Sequence, residues 1–176
     1  MIASHNTFTY MRPVQWWARL LTWSARCQKK SFTQQLAEDI RLIDIRVRHV
    51  AKSGWYVSHG LTRYCRLEYA LDLAEAVDLP VRLLVEGKYD EYVLNDLLVT
   101  IGLSGVTVYE CRDKRTWEQL IPGIPSLGVE QYVGSMQSWY GKIFPCLYTM
   151  FNRKKLRRRM AICRESKTGM ALFDFI

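Results

Sequence analysis

The sequence lacks several features that would place a protein in a class at once. It has no run of about 18 uncharged apolar residues, so we expect no transmembrane helix. Its five cysteines are scattered without a C-x-x-C pair, which indicates neither a disulfide framework nor a zinc site. No basic and apolar leader precedes the first strand-like residues, so we expect no secretory signal. We therefore expect a soluble or peripheral protein with reduced cysteines, located in the cytoplasm or at a membrane surface.

Composition and charge bound the size and the partners. The chain has 176 residues, 49% of them hydrophobic, which is enough for the core of one domain. The net charge of +8 indicates an anionic partner, which could be a lipid headgroup, a phosphate ester or nucleic acid. No nucleic-acid recognition motif occurs, so we expect no nucleic acid.

Polar residues close or interrupt four short apolar runs of strand length. His5 ends the run 1–5, Asp44 and Arg46 interrupt 42–47, His59 ends 55–59 and Asp174 ends 170–174. In a sheet of parallel strands these residues would gather at one rim. That rim, at the carboxyl ends of the strands, is where a β/α barrel places its chemistry.

The order of strand and helix patterns predicts the fold class. Strand-like and helix-like segments alternate, which is typical of an α/β protein with a mostly parallel sheet. We count seven strands, and the chain is shorter than the roughly 250 residues of a full barrel. The prediction is one domain over residues 1–176, a compact, trimmed or distorted TIM-type β/α barrel.

The residue types at the predicted rim suit the cleavage of a phosphodiester by an internal hydroxyl. That reaction needs a base for the hydroxyl, a cation for the phosphoryl charge and an acid for the leaving oxygen. Two histidines and an arginine supply all three. The structural alternative is a set of satisfied polar residues, in which Asp44 and Arg46 form only an ion pair.

Several of these segments resemble a known family. The segments 2–8, 34–36, 41–46 and 59–60 are similar, in order and spacing, to the catalytic X region of phosphatidylinositol-specific phospholipase C. The segment 84–89 resembles its fourth strand, and 172–176 resembles its last catalytic strand. Residues 105–150 match nothing that we can name.

The resemblance implies a role for each rim residue. His5 would be the general base on the inositol 2-hydroxyl, and His59 the general acid that protonates the diacylglycerol oxygen. Asp174 would hold the His5 imidazole in the useful tautomer. Asp44 and Arg46 would face the same side of a strand, because they are two positions apart. Arg46 would contact the phosphate, and Asp44 would either fix Arg46 in place or approach the substrate hydroxyl.

Two branches of the family differ in their use of a metal, and this chain has features of both. Asn6 and Glu86 resemble the calcium-dependent branch, whereas Arg46 resembles the metal-free bacterial branch. We predict no cofactor, with calcium bound by Asn6, Asp44 and Glu86 as the alternative. Asn6 stands where the bacterial enzymes carry an aspartate that assists the acid histidine. We predict substrate contacts for Asn6, Glu86 and Lys88.

The predicted activity releases diacylglycerol and a cyclic inositol phosphate from phosphatidylinositol-type lipids. One alternative is a metal-dependent barrel phosphodiesterase acting on another phospholipid or on a glycerophosphodiester. Another is a lipid-binding module of the same fold without catalysis. The sequence leaves headgroup preference and oligomeric state open.

Two segments predict contact with an anionic membrane surface. Pro13 to about Lys30 has the pattern of a helix, and its tryptophans would either pack on the barrel or lie at a lipid interface. A basic helix follows Asn152, a plausible N-cap, and runs to about Ser166. Its basic run 153–159 is either a solvated face or a membrane-attracting one.

Overall fold

The computed structural model describes residues 1–20, 22–124, 131–134, 138–143, 145–165 and 171–174. Met170, Phe175 and Ile176, which the sequence assigned to the last strand, lie outside these residues. The strands are β1 (Ile2–Ser4), β2 (Leu42–Val50), β3 (Gly54–His59), β4 (Thr62–Arg66), β5 (Val81–Val85), β6 (Val108–Asp113), β7 (Gln131–Val133) and β8 (Ala171–Phe173). The α-helices are α1 (Thr22–Ala25), α2 (Phe32–Leu36), α3 (Leu67–Glu75), α4 (Glu91–Leu103), α5 (Trp139–Ile143) and α6 (Pro145–Glu165), and two 3₁₀ turns cover Thr7–Tyr10 and Trp17–Arg19.

Six of the strands run parallel in the order β7-β8-β1-β2-β5-β6. Chain order is kept around the sheet, as in a β/α barrel. Within the described residues β6 and β7 are not paired with each other, so the ring has a gap between them. The predicted α/β class, with a trimmed barrel, is confirmed.

Strands β3 and β4 form an antiparallel hairpin on β2, which the sequence prediction missed. β2 continues past Val47 to Val50, and the chain then turns at Gly54, whose φ of 77° suits a residue without a Cβ. β3 returns antiparallel to β2, with Val57 opposite Val47. The prediction counted seven strands, whereas the described residues contain eight. The prediction that His59 ends a parallel strand is wrong, because β3 runs antiparallel to β2 and brings His59 to the rim from the opposite direction.

The two histidines thus approach the same part of β2 along one of its edges. β1 pairs with the start of β2, and β3 pairs with its end. β5 covers the other edge over Ile43–Val47. His5 follows the carboxyl end of β1, which runs parallel to β2, and His59 ends β3, which runs antiparallel to it. The two residues therefore flank the stretch of β2 that carries Asp44 and Arg46.

Side chains of the parallel strands alternate between an apolar outer layer and a largely polar interior. Ile43, Ile45 and Val47 face outward into the main core, which α3 covers with the stripe of Leu67 and Leu71. Burying each of these large side chains stabilises the fold by roughly 1.5–3 kcal/mol. Inside, Ala3, Leu42, Leu172 and Tyr109 form a small apolar layer at the amino end of the barrel. Polar residues that face the same side of their strands, such as Asp44 and Arg46 after Leu42, lie nearer the rim.

The segment from Pro13 to Lys30 is not the single helix that its pattern predicted. It forms only the turn Trp17–Arg19 and the short α1. Hydrogen bonds to a distant segment replace helical ones, since Val14 N donates to Arg63 O at 2.8 Å and Gln15 Nε2 donates to Leu61 O at 2.7 Å. These contacts fix the segment against the β3–β4 hairpin.

Helix α6 begins earlier than predicted, at Pro145 rather than after Asn152. The Asn152 amide lies inside the helix, where its Nδ2 donates to Tyr148 O at 2.9 Å instead of capping an N-terminus. Leu156 and Met160 of this helix are buried. The predicted end at Ser166 lies outside the described residues. No helix in the described part of the chain combines the length and apolar character needed to cross a bilayer.

Candidate active site

His5 and Asp174 form the innermost pair of the site. Ser4 and Phe173 are register partners in the parallel β1–β8 pair, so the next residue of each strand lies beside the other. The His5 Nδ1 and Asp174 Oδ1 atoms are 2.6 Å apart, and both side chains are buried. Gln28 Nε2 donates to His5 O and to Phe173 O, at 3.0 and 2.9 Å, and clamps the two strand ends together. This geometry fits the tautomer in which Nδ1 carries the proton and Nε2 is the basic nitrogen.

Arg46 lies directly beside that basic nitrogen. Its Nη2 is 3.0 Å from His5 Nε2. On the same face of β2, Asp44 Oδ2 lies 3.8 Å from His5 Nε2 and accepts a hydrogen bond from Asn6 N at 3.0 Å. The structure therefore brings His5, Asp44, Arg46 and Asp174 together, as the sequence predicted.

His59 is half-buried across the site and is held through the other ring nitrogen. Its Nδ1 donates to Ala25 O at 2.8 Å, and Tyr64 Oη donates to the same carbonyl at 3.0 Å. Burial, together with the charges of Arg46 and His5, lowers the pKa of His59 to about 3. The ring is neutral at pH 7, with Nε2 unprotonated.

Asn6 contacts the base histidine, and no contact with the acid histidine is recorded among the described residues. Its backbone is left-handed, with φ 48° and ψ 56°. Its Nδ2 lies 3.1 Å from His5 Nε2 and 3.4 Å from Cys27 Sγ. The resemblance placed Asn6 at the position of an aspartate that assists the acid. In this chain the Ala25 carbonyl is the partner of the His59 ring.

Sequence reasoning missed a buried ion-pair ladder beneath the site. Arg82 Nη1 donates to Asp44 Oδ1 at 2.7 Å, and Arg82 Nε donates to Glu110 Oε2 at 3.0 Å. The three residues are register partners on β2, β5 and β6, and all are at least 95% buried. Burial alone would raise the pKa of Asp44. The nearby positive charges, first that of Arg82, and the hydrogen bond from Asn6 N together outweigh burial, so the pKa falls below its usual value. The available signal was an arginine inside the apolar run 81–85, in phase with Asp44.

Glu86 pairs with two basic side chains, those of Arg46 and Lys114. Its Oε1 accepts from Arg46 Nη1 at 3.4 Å and from Lys114 Nζ at 2.5 Å, and its Oε2 accepts from Gly60 N at 2.9 Å. The sequence did not single out Lys114. Lys88 is exposed in the loop after Glu86, and among the described residues no contact joins it to the others.

Two groups of residues are possible metal ligands. For calcium, the carboxylates of Asp44 and Glu86 are each already paired with a positively charged side chain, and the Asn6 Oδ1 atom lacks a hydrogen-bond partner. Calcium takes six to eight oxygen ligands, more than these three side chains supply as placed. A second group, His5, Cys27 and Asp174, has ligand atoms within 4.8 Å of one another.

The arrangement has the parts of a general acid–base site for an anionic substrate. One imidazole has an oriented basic nitrogen, a guanidinium lies next to it, and a second imidazole approaches from the facing strand. The buried carboxylates Asp44 and Asp174 orient these groups and offset their charge. An anion bound at this rim would contact the Arg46 guanidinium beside His5.

Comparisons with known proteins support the fold. No protein-family model and no curated protein sequence matches the chain. It is similar to the structure of the phosphatidylinositol-specific phospholipase C from Listeria monocytogenes, with a TM-score of 0.62 and 16% identity over 99% of this chain and 87% of that one. It is also similar to a point mutant of the phosphatidylinositol-specific phospholipase C from Staphylococcus aureus, with a TM-score of 0.63 and 12% identity over 99% of this chain and 84% of that one. The chain therefore has the fold of these bacterial enzymes.

Proposed function

We propose that the protein is a phosphodiesterase that cleaves phosphatidylinositol-type lipids to diacylglycerol and a cyclic inositol phosphate. The observation that supports the proposal most is the contact of Arg46 with His5 Nε2, with His59 at the end of the neighbouring strand β3, in a fold shared with bacterial phosphatidylinositol-specific phospholipases C. Fold alone does not assign a reaction, so the residue geometry carries the chemical part.

In the proposed first step the inositol 2-hydroxyl takes the place of Arg46 at His5 Nε2. His5 accepts the hydroxyl proton as the oxygen attacks phosphorus, and Asp174 stabilises the imidazolium through Nδ1. The Arg46 guanidinium turns toward the phosphoryl oxygens, for which its planar donors are suited. Glu86 and Lys114 set the position of Arg46 before the substrate binds.

In the second part of the step His59 donates a proton from Nε2 to the glycerol oxygen that leaves. A low pKa makes an imidazolium a strong acid, but the free protein holds little of the protonated form at neutral pH. The bound phosphodiester anion offsets the charge of Arg46 and so raises the pKa of His59. The Ala25 carbonyl directs the protonated ring toward the leaving group.

We propose that this reaction needs no metal ion. The support is that Arg46 supplies the positive charge at the site, while Asp44 and Glu86 are engaged by Arg82 and Lys114. The calcium alternative would require these ion pairs to separate. Full activity in chelator distinguishes the two and also separates this reading from a metal-dependent glycerophosphodiesterase.

The partner surface is proposed to be an anionic membrane, contacted by an apolar lip. The lip consists of Trp16, Leu20 and Leu61, whose exposed fractions are 73%, 72% and 71%. Leu61 is two residues from His59, and hydrogen bonds from Val14 and Gln15 fix the first segment against the hairpin. The exposed basic residues of 153–158 on α6 add a long-range attraction.

A second candidate function is lipid binding without turnover. It is favoured by the low pKa of His59 and by the placement of the Asn6 amide on His5 rather than on the acid. With a low pKa, little of His59 is protonated at neutral pH, and the Asn6 amide contacts the other histidine.

One experiment tests both candidates. The protein is incubated with phosphatidylinositol vesicles in chelator, and phosphorus NMR follows the products. The proposal predicts the resonance of a five-membered cyclic phosphate. Salt-sensitive vesicle binding without any new phosphorus resonance at pH 5 to 8 would favour the second candidate.

A further inference from the structure

His5, Cys27 and Asp174 bring three kinds of metal ligand together at the base of the candidate active site. Each offers a nitrogen, sulfur or oxygen atom, and these atoms all lie within 4.8 Å of one another. The exposed fractions of the residues are 3%, 1% and 1%. Within the described residues, this is the group of three possible ligands that is close enough to share one ion.

Asn6 borders this cluster and carries a buried amide oxygen that is not hydrogen-bonded within the protein. The residue is 2% exposed, and its Oδ1 has no hydrogen-bond partner. Leaving such an oxygen unpaired costs about 1–3 kcal/mol. The other amide atom, Nδ2, already contacts both Cys27 Sγ and His5 Nε2, so a half-turn of the amide would bring Oδ1 to the same two atoms.

We propose that this cluster is an inhibitory Zn²⁺ site, with Cys27 Sγ, a carboxylate oxygen of Asp174 and His5 Nδ1 as ligands. Thiolate, imidazole and carboxylate together are a zinc donor set, whereas calcium and magnesium prefer oxygen alone. Zinc bonds of about 2.0–2.3 Å place tetrahedral ligands roughly 3.3–3.8 Å apart. Since His5 Nδ1 and Asp174 Oδ1 are 2.6 Å apart, they must separate by a side-chain movement to admit the ion.

Binding has a definite proton balance. The Cys27 thiol loses its proton to solvent, and the imidazole proton of His5 moves from Nδ1 to Nε2, so one proton leaves per Zn²⁺ bound. Because a thiol binds Zn²⁺ only after losing its proton, binding should tighten as the pH rises.

The same proton shift explains the inhibition. With a proton on Nε2, His5 can no longer accept one from the substrate hydroxyl. The Asn6 Oδ1 atom, after its half-turn, becomes the acceptor for Nε2–H. This effect on turnover rests on the proposed function, whereas metal binding itself does not.

Cobalt titration of the full chain tests the binding, because Co²⁺ adopts the same sites and absorbs light. We expect a thiolate-to-cobalt charge-transfer band in the near ultraviolet that Zn²⁺ displaces. Cys27→Ser should remove the band and weaken Zn²⁺ binding at least about tenfold. The matched control is Cys65→Ser, a half-buried cysteine on β4, which should keep both.

The site is overturned if the parent protein shows no such band, or if the band survives in Cys27→Ser. Near-UV circular dichroism checks that Cys27→Ser is folded, and Cys27→Ala is used in its place if it is not. A weakly buffered titration should also release one proton per ion in the parent, and release of none would contradict the ligand set.

A turnover measurement tests the inhibitory role separately. Zn²⁺ should abolish phosphatidylinositol cleavage, chelator should restore it, and Cys27→Ser should cleave at the parent rate while resisting Zn²⁺. Cobalt binding without any loss of turnover would overturn the inhibition but keep the site. If the parent cleaves no substrate at all, the proposed function fails while the spectrum still decides the metal site.

Discussion

His5 and Asp174 are 169 positions apart in the chain, yet their side chains meet at 2.6 Å at the carboxyl ends of adjacent strands. A carboxylate in this position fixes the tautomer of the imidazole and stabilises its protonated form. Arg46 and Asn6 in turn contact the other ring nitrogen of His5, Nε2.

The first prediction concerns that carboxylate. Asp174→Asn should lower kcat at least about 100-fold, because an amide cannot hold His5 with Nε2 as the base. The control is Asp96→Asn, an exposed carboxylate on α4, which should leave kcat unchanged. Steady-state kinetics on phosphatidylinositol in detergent micelles measures both, and an unimpaired Asp174→Asn would remove the dyad from the mechanism.

The second prediction tests the guanidinium. Arg46→Lys should lower the rate well over about tenfold, because a single ammonium cannot reproduce the planar two-point contact with a phosphate. Arg41→Lys, an exposed arginine paired with Asp39, serves as control. A parent-like rate for Arg46→Lys would mean that Arg46 does not contact the phosphate.

The third prediction concerns stability and Arg82. Arg82→Met should destabilise the fold by about 3–5 kcal/mol, because it leaves the buried carboxylates of Asp44 and Glu110 without their shared cation. Urea unfolding followed by tryptophan fluorescence measures the free energy of unfolding. A loss below about 1 kcal/mol, the range of a surface ion pair, would contradict the claim that Arg82 stabilises the fold by pairing with both buried carboxylates.

The fourth prediction follows from the low pKa of His59. Its folded pKa of about 3 lies below the ordinary value near 6.5, so the unfolded chain binds more protons between these pH values. The free energy of unfolding should therefore fall as pH decreases from 6.5, by roughly 1–2 kcal/mol at pH 5. Comparison of parent and His59→Gln at both pH values isolates this contribution. An equal slope in the two proteins would show that His59 titrates normally.

The fifth prediction concerns the apolar lip. Leu20→Ala should weaken binding to phosphatidylinositol vesicles by about tenfold. The substitution removes most of the apolar side-chain area that the membrane would bury. Leu103→Ala is the matched control, because Leu103 is 82% exposed at the far end of α4. Vesicle sedimentation gives both affinities. If the two variants lose affinity equally, the lip is not the contact surface.

The central part of the site could be predicted from the sequence because it obeys strand periodicity. Asp44 and Arg46 alternate with buried apolar residues, and His5 and Asp174 each follow a strand that pairs in parallel with its neighbour. Because successive side chains of a strand point to opposite faces, this alternation places Asp44 and Arg46 on the same face. These positions needed no knowledge of loop geometry.

The elements that were missed depend on contacts between distant segments. The reversal that carries His59 back along β2 depends on the turn at Gly54 and on pairing with a strand that the sequence did not reveal. The segment after Pro13 has a helical pattern, but its bonds to the hairpin and to Thr9 outweigh a weak local preference. The role of Arg82 is visible only once β2, β5 and β6 are known to be neighbours.

The most direct measurement of the central claim compares His5→Gln and His59→Gln on two substrates. One is phosphatidylinositol, and the other is an inositol phosphodiester with nitrophenolate, a leaving group that needs no protonation. The account predicts that His59→Gln loses cleavage of the lipid but keeps most of its cleavage of the nitrophenyl ester, whereas His5→Gln loses both. Equal losses on both substrates for the two variants would contradict the assignment of one base and one acid.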